Sequence, residues 1–383
     1  MRTLLNVDDV RSYAKRRLPR VAFDYIDGGS DDEVTLRENR RAFERIGLRP
    51  RQLMNVENRS QSVTVFGEKI DLPIILAPAG MARIAGGGGD LAGAQAAGLR
   101  NTIFTLSTMA THSIEEVSRV ATGPLWFQLY LVKDRKVNEE LVNRAEEAGY
   151  RALVVTVDVP VISIRERDHR NGLTIPPKLR LRTAFDMVRR PRWVRSQFPP
   201  VAFSNFKGTS RTMPRKAIAH AQWVRENLAH AGASLADLKE LRKRWSGPLI
   251  VKGIITPEDA LLAVNSGADG VVVSNHGGRQ LDGCISSLEA LPAVVDAIGS
   301  QAEVFVDGGV RRGTDVVKAL SLGAKACLVG RPWLWGAAYG GVDGVENVLR
   351  ILYEETDRAL ALVGQTDVTG LDHSFVQLSS TGD

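Results

Sequence analysis

Eight short apolar runs, each separated from the next by a segment of different pattern, limit the possible folds of this chain more than any other feature. The runs are Ile74–Ala79, Thr102–Ser107, Leu125–Tyr130, Ala152–Asp158, Leu249–Gly253, Gly270–Asn275, Glu303–Asp307 and Ala326–Gly330. Between them, Ile114–Val120, Asn138–Ala148, Pro257–Ser266 and Gly313–Leu322 carry helical patterns. Strand and helix alternating eight times predict an α/β protein of the (β/α)8 TIM-barrel class. An open doubly wound sheet is the alternative. It calls for G-x-G-x-x-G after the first strand and an acidic residue about 20 positions further on. Gly86–Gly89 precedes a helix but has no such acidic residue, so it reads as a flexible loop.

A chain of 383 residues with 44% apolar content can bury one large barrel core. Residues 1–383 are therefore read as one domain, with an N-terminal helical segment ahead of the barrel. Val7–Leu18 has helical spacing, with Asp8 and Asp9 at its start and Arg16 and Arg17 at its end, matching the helix dipole. Tyr25 follows in F-D-Y-I-D-G-G, where the glycine pair ends a helix. Val63–Ile70 reads as a hairpin closing one end of the barrel. Two cysteines, Cys284 and Cys327, make no disulfide framework, which points to a reducing, cytoplasmic setting. No signal peptide, membrane span or metal-ligand cluster is expected.

A barrel of this class places its chemistry at the C-terminal ends of its strands. Those ends carry Ala79 and Gly80, Ser107, Gln128 and Tyr130, Thr156 and Asp158, Lys252, Ser274 and His276, Asp307, Gly309 and Arg311, and Gly330 and Arg331. Core packing does not explain so many small or polar residues there, so the pattern argues for an enzyme. The run S-N-H-G-G-R-Q-L-D, Ser274–Asp282, sets His276 three residues before Arg279. A base beside a planar guanidinium suits proton abstraction next to a carboxylate. The competing reading is a plain strand-to-helix turn holding a satisfied histidine. D-G-G-V-R-R-G and G-R-P, after the last two strands, occupy the usual phosphate site of the fold, with Arg311 and Arg331 as cations.

With these motifs assembled, nearly the whole chain resembles the FMN-dependent L-2-hydroxy acid oxidase and dehydrogenase family, which includes glycolate oxidase, lactate dehydrogenases and mandelate dehydrogenase. The resemblance implies FMN as cofactor and oxidation of a small 2-hydroxy acid to the 2-oxo acid. It also implies quinone or O2 as electron acceptor and a homotetramer. By the same resemblance His276 is the base and Asp158 stabilises its imidazolium. Arg279 and Arg165 hold the substrate carboxylate with help from Tyr25, and Tyr130 bonds the substrate hydroxyl. Lys252 sits at the N1/C2 carbonyl edge of the flavin. Ala79, Ser107, Gln128, Thr156 and Ser274 contact the isoalloxazine or ribityl chain. Asp307, Gly309, Arg311, Gly330 and Arg331 hold the ribityl and phosphate.

The chain departs from glycolate oxidase-like members at three places. Ile164 stands where they carry a second arginine, Met109 where they carry a bulky Trp, and Gly80 where oxidase-type members tend to have Ala. Met109 leaves room for a substrate larger than glycolate, of lactate or mandelate type. Gly80 resembles the lactate and mandelate dehydrogenases, which leans toward a dehydrogenase; an O2-using oxidase of broad specificity is the alternative.

About 90 residues separate the fourth and fifth runs, far beyond an ordinary connection. Within them, residues 176–216 hold eleven Lys or Arg and one acid, Asp186, a net +10 in a chain of net +6. Phe185, Met187, Trp193, Phe198, Phe203 and Phe206 are interleaved. Basic residues mixed with aromatics suit an anionic membrane surface, placing the protein on the inner face of the cell membrane. R-R-P-R-W also resembles the insert of membrane-associated mandelate and lactate dehydrogenases. A lid with solvated charges is the plain alternative, and a non-catalytic, membrane-docking barrel is the reading from another class. No nucleic-acid motif accompanies the patch.

Overall fold

The computed structural model describes residues 4–86, 88–173, 181–198, 203–206 and 217–378. Its centre is a closed barrel of eight parallel strands in sequential order. They are Ile74–Leu76, Phe104–Ser107, Leu125–Tyr130, Ala152–Thr156, Leu249–Ile254, Gly270–Val273, Glu303–Asp307 and Ala326–Val329. The last closes on the first, with Cys327 opposite Ile74. The eightfold alternation is thus the barrel that the spacing predicts. The first strand stops short of Ala79 because Pro78 has no N–H to offer the ladder.

Helices α1 (Val7–Arg17), α2 (Arg20–Asp27) and α3 (Val34–Glu44) precede the barrel. Then come α4 (Asp90–Leu99), α5 (Ile114–Val120) and α6 (Arg135–Glu147). The last begins three residues earlier than its apolar pattern, because the Asp134 carboxylate accepts from Lys136 N at 3.1 Å and caps it. The fourth connection holds α7 (Glu166–Asn171), α8 (Leu181–Val188), α9 (Pro191–Ser196), α10 (Ala217–Leu228) and α11 (Leu235–Arg244). Helices α12 (Pro257–Asn265), α13 (Ser287–Ile298), α14 (Gly313–Ser321) and α15 (Arg331–Val363) complete the ring, with α15 broken at Gly340 and Gly341.

The hairpin of Val63–Val65 and Glu68–Ile70 seals the N-terminal end of the barrel. Its Phe66 ring lies 6.0 Å from Trp126 and 5.7 Å from Phe305. A Cβ on Gly270 would stand 2.7 Å from that ring, so a glycine is required there. With this end plugged by aromatics, the open mouth is at the strands' C-terminal ends. Gly86, Gly88 and Gly89 all take positive φ between a 3-10 turn and α4. Gly87 lies outside the described residues, as do Lys178, Arg180, Lys207, Arg211, Arg215 and Lys216 of the basic insert.

Candidate active site

Beyond the sixth strand the chain reverses through His276, Gly277 and Gly278 at φ of 59°, 65° and 72°. A left-handed residue with a side chain is costly, so its surroundings must hold it there. His276 N donates to Ser274 Oγ at 3.0 Å, and Gly278 N to Asn275 Oδ1 at 3.1 Å. Asn275 is itself fixed from α3. The buried side chains of Asn39 and Asn275 exchange amide hydrogen bonds of 2.8 and 2.9 Å. The far end of the motif is tied down as well. The Asp282 carboxylate accepts from Val34 N and Thr35 N at 3.1 and 2.8 Å, capping α3 in place of a local residue.

So held, the His276 ring bridges two elements. Its Nδ1 lies 2.8 Å from Asp158 Oδ1 and its Nε2 lies 3.3 Å from the Tyr130 hydroxyl. Burial pushes the Asp158 carboxyl up, but His276 and Lys252 outweigh it, and the group ends below the usual carboxylate range. It therefore stays ionised and fixes Nδ1 as the donor, leaving Nε2 facing the mouth. The Tyr130 phenol is pushed well up, first by burial and then by Asp158, so it remains a neutral donor. This is a base oriented by a carboxylate, a geometry that a plain turn does not require.

Lys252 rises from the fifth strand into the buried centre of the mouth. Its Nζ lies 2.8 Å from Ser274 Oγ and 2.9 Å from Asp307 Oδ2. Burial pulls its pKa down, yet Asp307 and Asp158 more than restore it, and it ends above its ordinary value as a fixed cation. Beside it, Ser107 Oγ donates to Gln128 Oε1 at 3.1 Å.

Two guanidiniums flank Tyr25, Arg279 at 5.2 Å and Arg165 at 5.6 Å from its ring centre. Arg279 Nη1 donates to the Tyr25 and Gly28 carbonyls at 2.8 and 3.0 Å. Burial and the charge of Arg165 lower its pKa, so this pair of cations favours an anion between them. Arg165 is partly offset by Asp168 at 3.3 Å. The Tyr25 hydroxyl donates to Gly80 O at 3.0 Å, and a Cβ on Gly80 would stand 3.0 Å from Met109 Cβ. Tyr25, Gly80 and Met109 therefore form one wall.

At the other end of the mouth, Arg331 donates to the Gly277 and Gly28 carbonyls at 2.9 and 2.8 Å. Arg311 lies 4.9 Å over the Trp335 ring and donates to Val310 O at 2.7 Å. Neither makes an ion pair among the described residues. Burial and the charge of Arg40 pull Arg311 down to about 10; burial, Arg279 and Arg311 pull Arg331 well below its ordinary value. Meanwhile Gln128 Nε2, Thr156 Oγ1 and Asp307 Oδ1 are buried with no hydrogen-bond partner. Buried polar atoms are rarely left so, and all three stand at the C-terminal ends of barrel strands. An FMN fits this set: polar groups for its ring and ribityl chain, and unpaired cations for its phosphate. The predicted residues thus come together in one mouth, with Ala79 and Gly330 on its rim and Gly309 against α3, where a Cβ would meet Asn39 O at 2.1 Å.

A (β/α)8 barrel with a carboxylate-oriented histidine, a buried lysine and two buried arginines at one mouth suits a flavin-binding oxidoreductase. The sequence matches FMN-dependent dehydrogenases over residues 14–378. It is 42% identical to an L-lactate oxidase of a Nostoc species over 384 residues, covering 98% of each chain. It is also 42% identical to an L-lactate dehydrogenase of Xanthomonas campestris, covering 94% of this chain and 93% of that one. The fold matches the crystal structure of the monotopic membrane protein (S)-mandelate dehydrogenase with a TM-score of 0.94 at 37% identity, over 98% of this chain and all of the other. The chain belongs to the FMN-dependent dehydrogenase family of 2-hydroxy acid oxidases and dehydrogenases, and its cofactor is FMN.

Nothing in the sequence marks Asn39, Asn205 and Gln197 as supports of the site, and Trp193, Phe203 and Phe206, read there as aromatics for a membrane surface, are instead buried against the protein. Asn39 carries no motif and acts across 236 residues. Asn205, fully buried, donates to Ser107 O at 3.0 Å and accepts from Ile114 N at 2.9 Å. Trp193 Nε1 reaches Ile84 O at 2.7 Å, and Gln197 Nε2 reaches Arg83 O at 2.9 Å. Helix α9 and residues 203–206 are therefore seated on the loops after the first two strands. Among the described residues, no helix is long and apolar enough to cross a membrane, and no cluster of three metal-ligating side chains occurs.

Proposed function

We propose that this enzyme oxidises an L-2-hydroxy acid of the lactate or mandelate type to the 2-oxo acid. The observation that carries the reading is His276, oriented by Asp158 and facing Tyr130, with the Arg279 and Arg165 pair alongside. FMN, when bound, supplies the two-electron acceptor. Arg279 and Arg165 grip the substrate carboxylate, and Tyr130 donates to the substrate hydroxyl. His276 Nε2 takes the proton, and the Asp158 carboxylate stabilises the imidazolium that results. Lys252 holds positive charge against the flavin edge, while Arg311 and Arg331 meet the phosphate. The wall of Gly80 and Met109 favours a side chain larger than that of glycolate.

The electrons pass on to a quinone, and the basic insert docks the enzyme on an anionic membrane. Four exposed side chains of the insert, Leu181, Phe185, Val188 and Phe198, support that reading. So does the likeness to (S)-mandelate dehydrogenase, a monotopic membrane protein. The test is anaerobic mixing of the yellow holoenzyme with glycolate, L-lactate, longer aliphatic hydroxy acids and L-mandelate. Bleaching by lactate or mandelate is expected, followed by faster reoxidation with a quinone analogue than with O2. Failure of every acid to bleach the flavin would remove the enzyme reading, and faster reoxidation by O2 would make the protein an oxidase.

Arg279→Lys tests the carboxylate grip. One guanidinium nitrogen is already committed to two carbonyls, and a point charge cannot hold those and a carboxylate together. The expected result is a KM for the hydroxy acid raised about tenfold or more, or about 1.4 kcal/mol, with FMN retained. An unchanged KM would remove Arg279 from the substrate site.

A further inference from the structure

Away from the barrel mouth, a cleft of about 430 Å3 lies between the last turn of α1 and the α8–α9 junction. Five arginines line it: Arg16 and Arg17 from α1, and Arg189, Arg190 and Arg192 from the insert. Their partners among the described residues do not neutralise them. Arg190 faces the carboxylate of Asp186 at 3.6 Å, and that carboxylate also accepts from Arg20 N at 2.6 Å. Arg17 donates to Tyr339 O at 2.7 Å, a neutral carbonyl. Arg189 and Arg16 lie only over the Phe185 and Tyr13 rings. Among the described residues Arg192 has no partner, and Arg190 Nε is buried with no hydrogen-bond acceptor. Like charges gathered this closely repel, and a buried guanidinium N–H without an acceptor is costly. The cleft is therefore suited to an anion with several oxygens, and the planar guanidinium fork matches phosphate best.

A second observation, on the neighbouring helix, says what carries the phosphate. Leu181, Phe185 and Val188 on α8 fall at positions i, i+4 and i+7, one face of a helix, and all three are exposed. A free phosphate or a nucleotide makes no use of such a stripe, whereas a lipid uses both features at once. We propose that this cleft binds the phosphate headgroup of an anionic phospholipid while the α8 stripe enters the acyl boundary. The proposal rests on the membrane reading of the insert and deepens it in one respect. It assigns half of the headgroup site to α1, outside the insert. Trp193 fixes the geometry, because its bond to Ile84 seats α9 on the barrel rather than leaving it to follow the membrane.

The test compares two paired substitutions in the holoenzyme, each removing two charges. Arg16→Gln with Arg192→Gln removes cleft arginines that make no hydrogen bond or ion pair among the described residues. Arg182→Gln with Arg195→Gln removes two exposed arginines of the same insert that do not line the cleft. Flavin absorbance and solution turnover, expected unchanged in both, report that each is folded. Binding is measured by flotation with phosphatidylglycerol–phosphatidylcholine vesicles and with pure phosphatidylcholine vesicles at fixed ionic strength. The cleft pair is expected to weaken binding to the anionic vesicles at least tenfold and the control pair by less than threefold. Soluble glycerol 1-phosphate is expected to compete with wild type only weakly, because it lacks the acyl chains. Equal losses in the two pairs, or none in the cleft pair, would overturn the cleft while leaving the membrane reading intact. Strong competition by glycerol 1-phosphate would overturn the lipid assignment in favour of a free phosphate ester. Wild-type protein that ignores both kinds of vesicle would overturn the membrane reading itself.

Discussion

His276→Gln is expected to slow anaerobic flavin reduction by a 2-hydroxy acid about 10²–10⁴-fold while FMN stays bound. The amide of Gln can occupy similar space but cannot take a proton. Asp158, 2.8 Å from Nδ1, would then lose the group whose charge it stabilises, and Tyr130 would lose its neighbour at 3.3 Å. None of the cofactor-facing contacts passes through the imidazole: Lys252 is held by Ser274 and Asp307, and Arg331 by backbone carbonyls. Binding and chemistry should therefore separate cleanly. Stopped-flow absorbance gives the rate, and gel filtration gives the retained flavin. Reduction at about a tenth of the wild-type rate or faster would show that another group takes the proton.

Lys252→Met should act on the opposite side of that division. The ammonium is buried, and Asp307 lies 2.9 Å away with its second oxygen lacking any partner. Removing one member of a buried pair leaves the other charge uncompensated, a loss of about 3–5 kcal/mol. Asp158 also loses a cation that helps keep it ionised. The variant is expected to lose stability by about that amount in denaturant and to lose FMN on gel filtration. A variant with wild-type stability and flavin content would mean that Lys252 does not organise the mouth.

The barrel was legible because its signal repeats. Each apolar run is short and each helix must cover it, so the alternation survives small errors at any one boundary. The site was legible for the same reason, since a barrel sends its polar strand ends to one face. His276, Lys252 and Asp307 could be placed together without knowing a single distance. What the sequence hid was the means of support. Asn39 sits in a charged helix among arginines and looks like one more solvated residue, yet it is buried against Asn275. Arg331 and Arg279 read as ligand-binding cations, and the structure shows that both also hold backbone carbonyls from Tyr25 to Gly28. Long-range partners of this kind leave no period in a sequence. The insert was legible as charge but not as structure. Its helices are short, and the buried anchors Trp193 and Asn205 sit among residues that read as surface.

The exchanged amides of Asn39 and Asn275 also set an order of events in the life of the chain. The N-terminal helices are made first and the catalytic turn 236 residues later. Contacts so distant in sequence close late in folding, after the nearby ones have formed. Through most of synthesis α3 has nothing to clasp, because the catalytic turn does not yet exist. The clasp that steadies the catalytic turn therefore closes only when the two ends of the molecule meet.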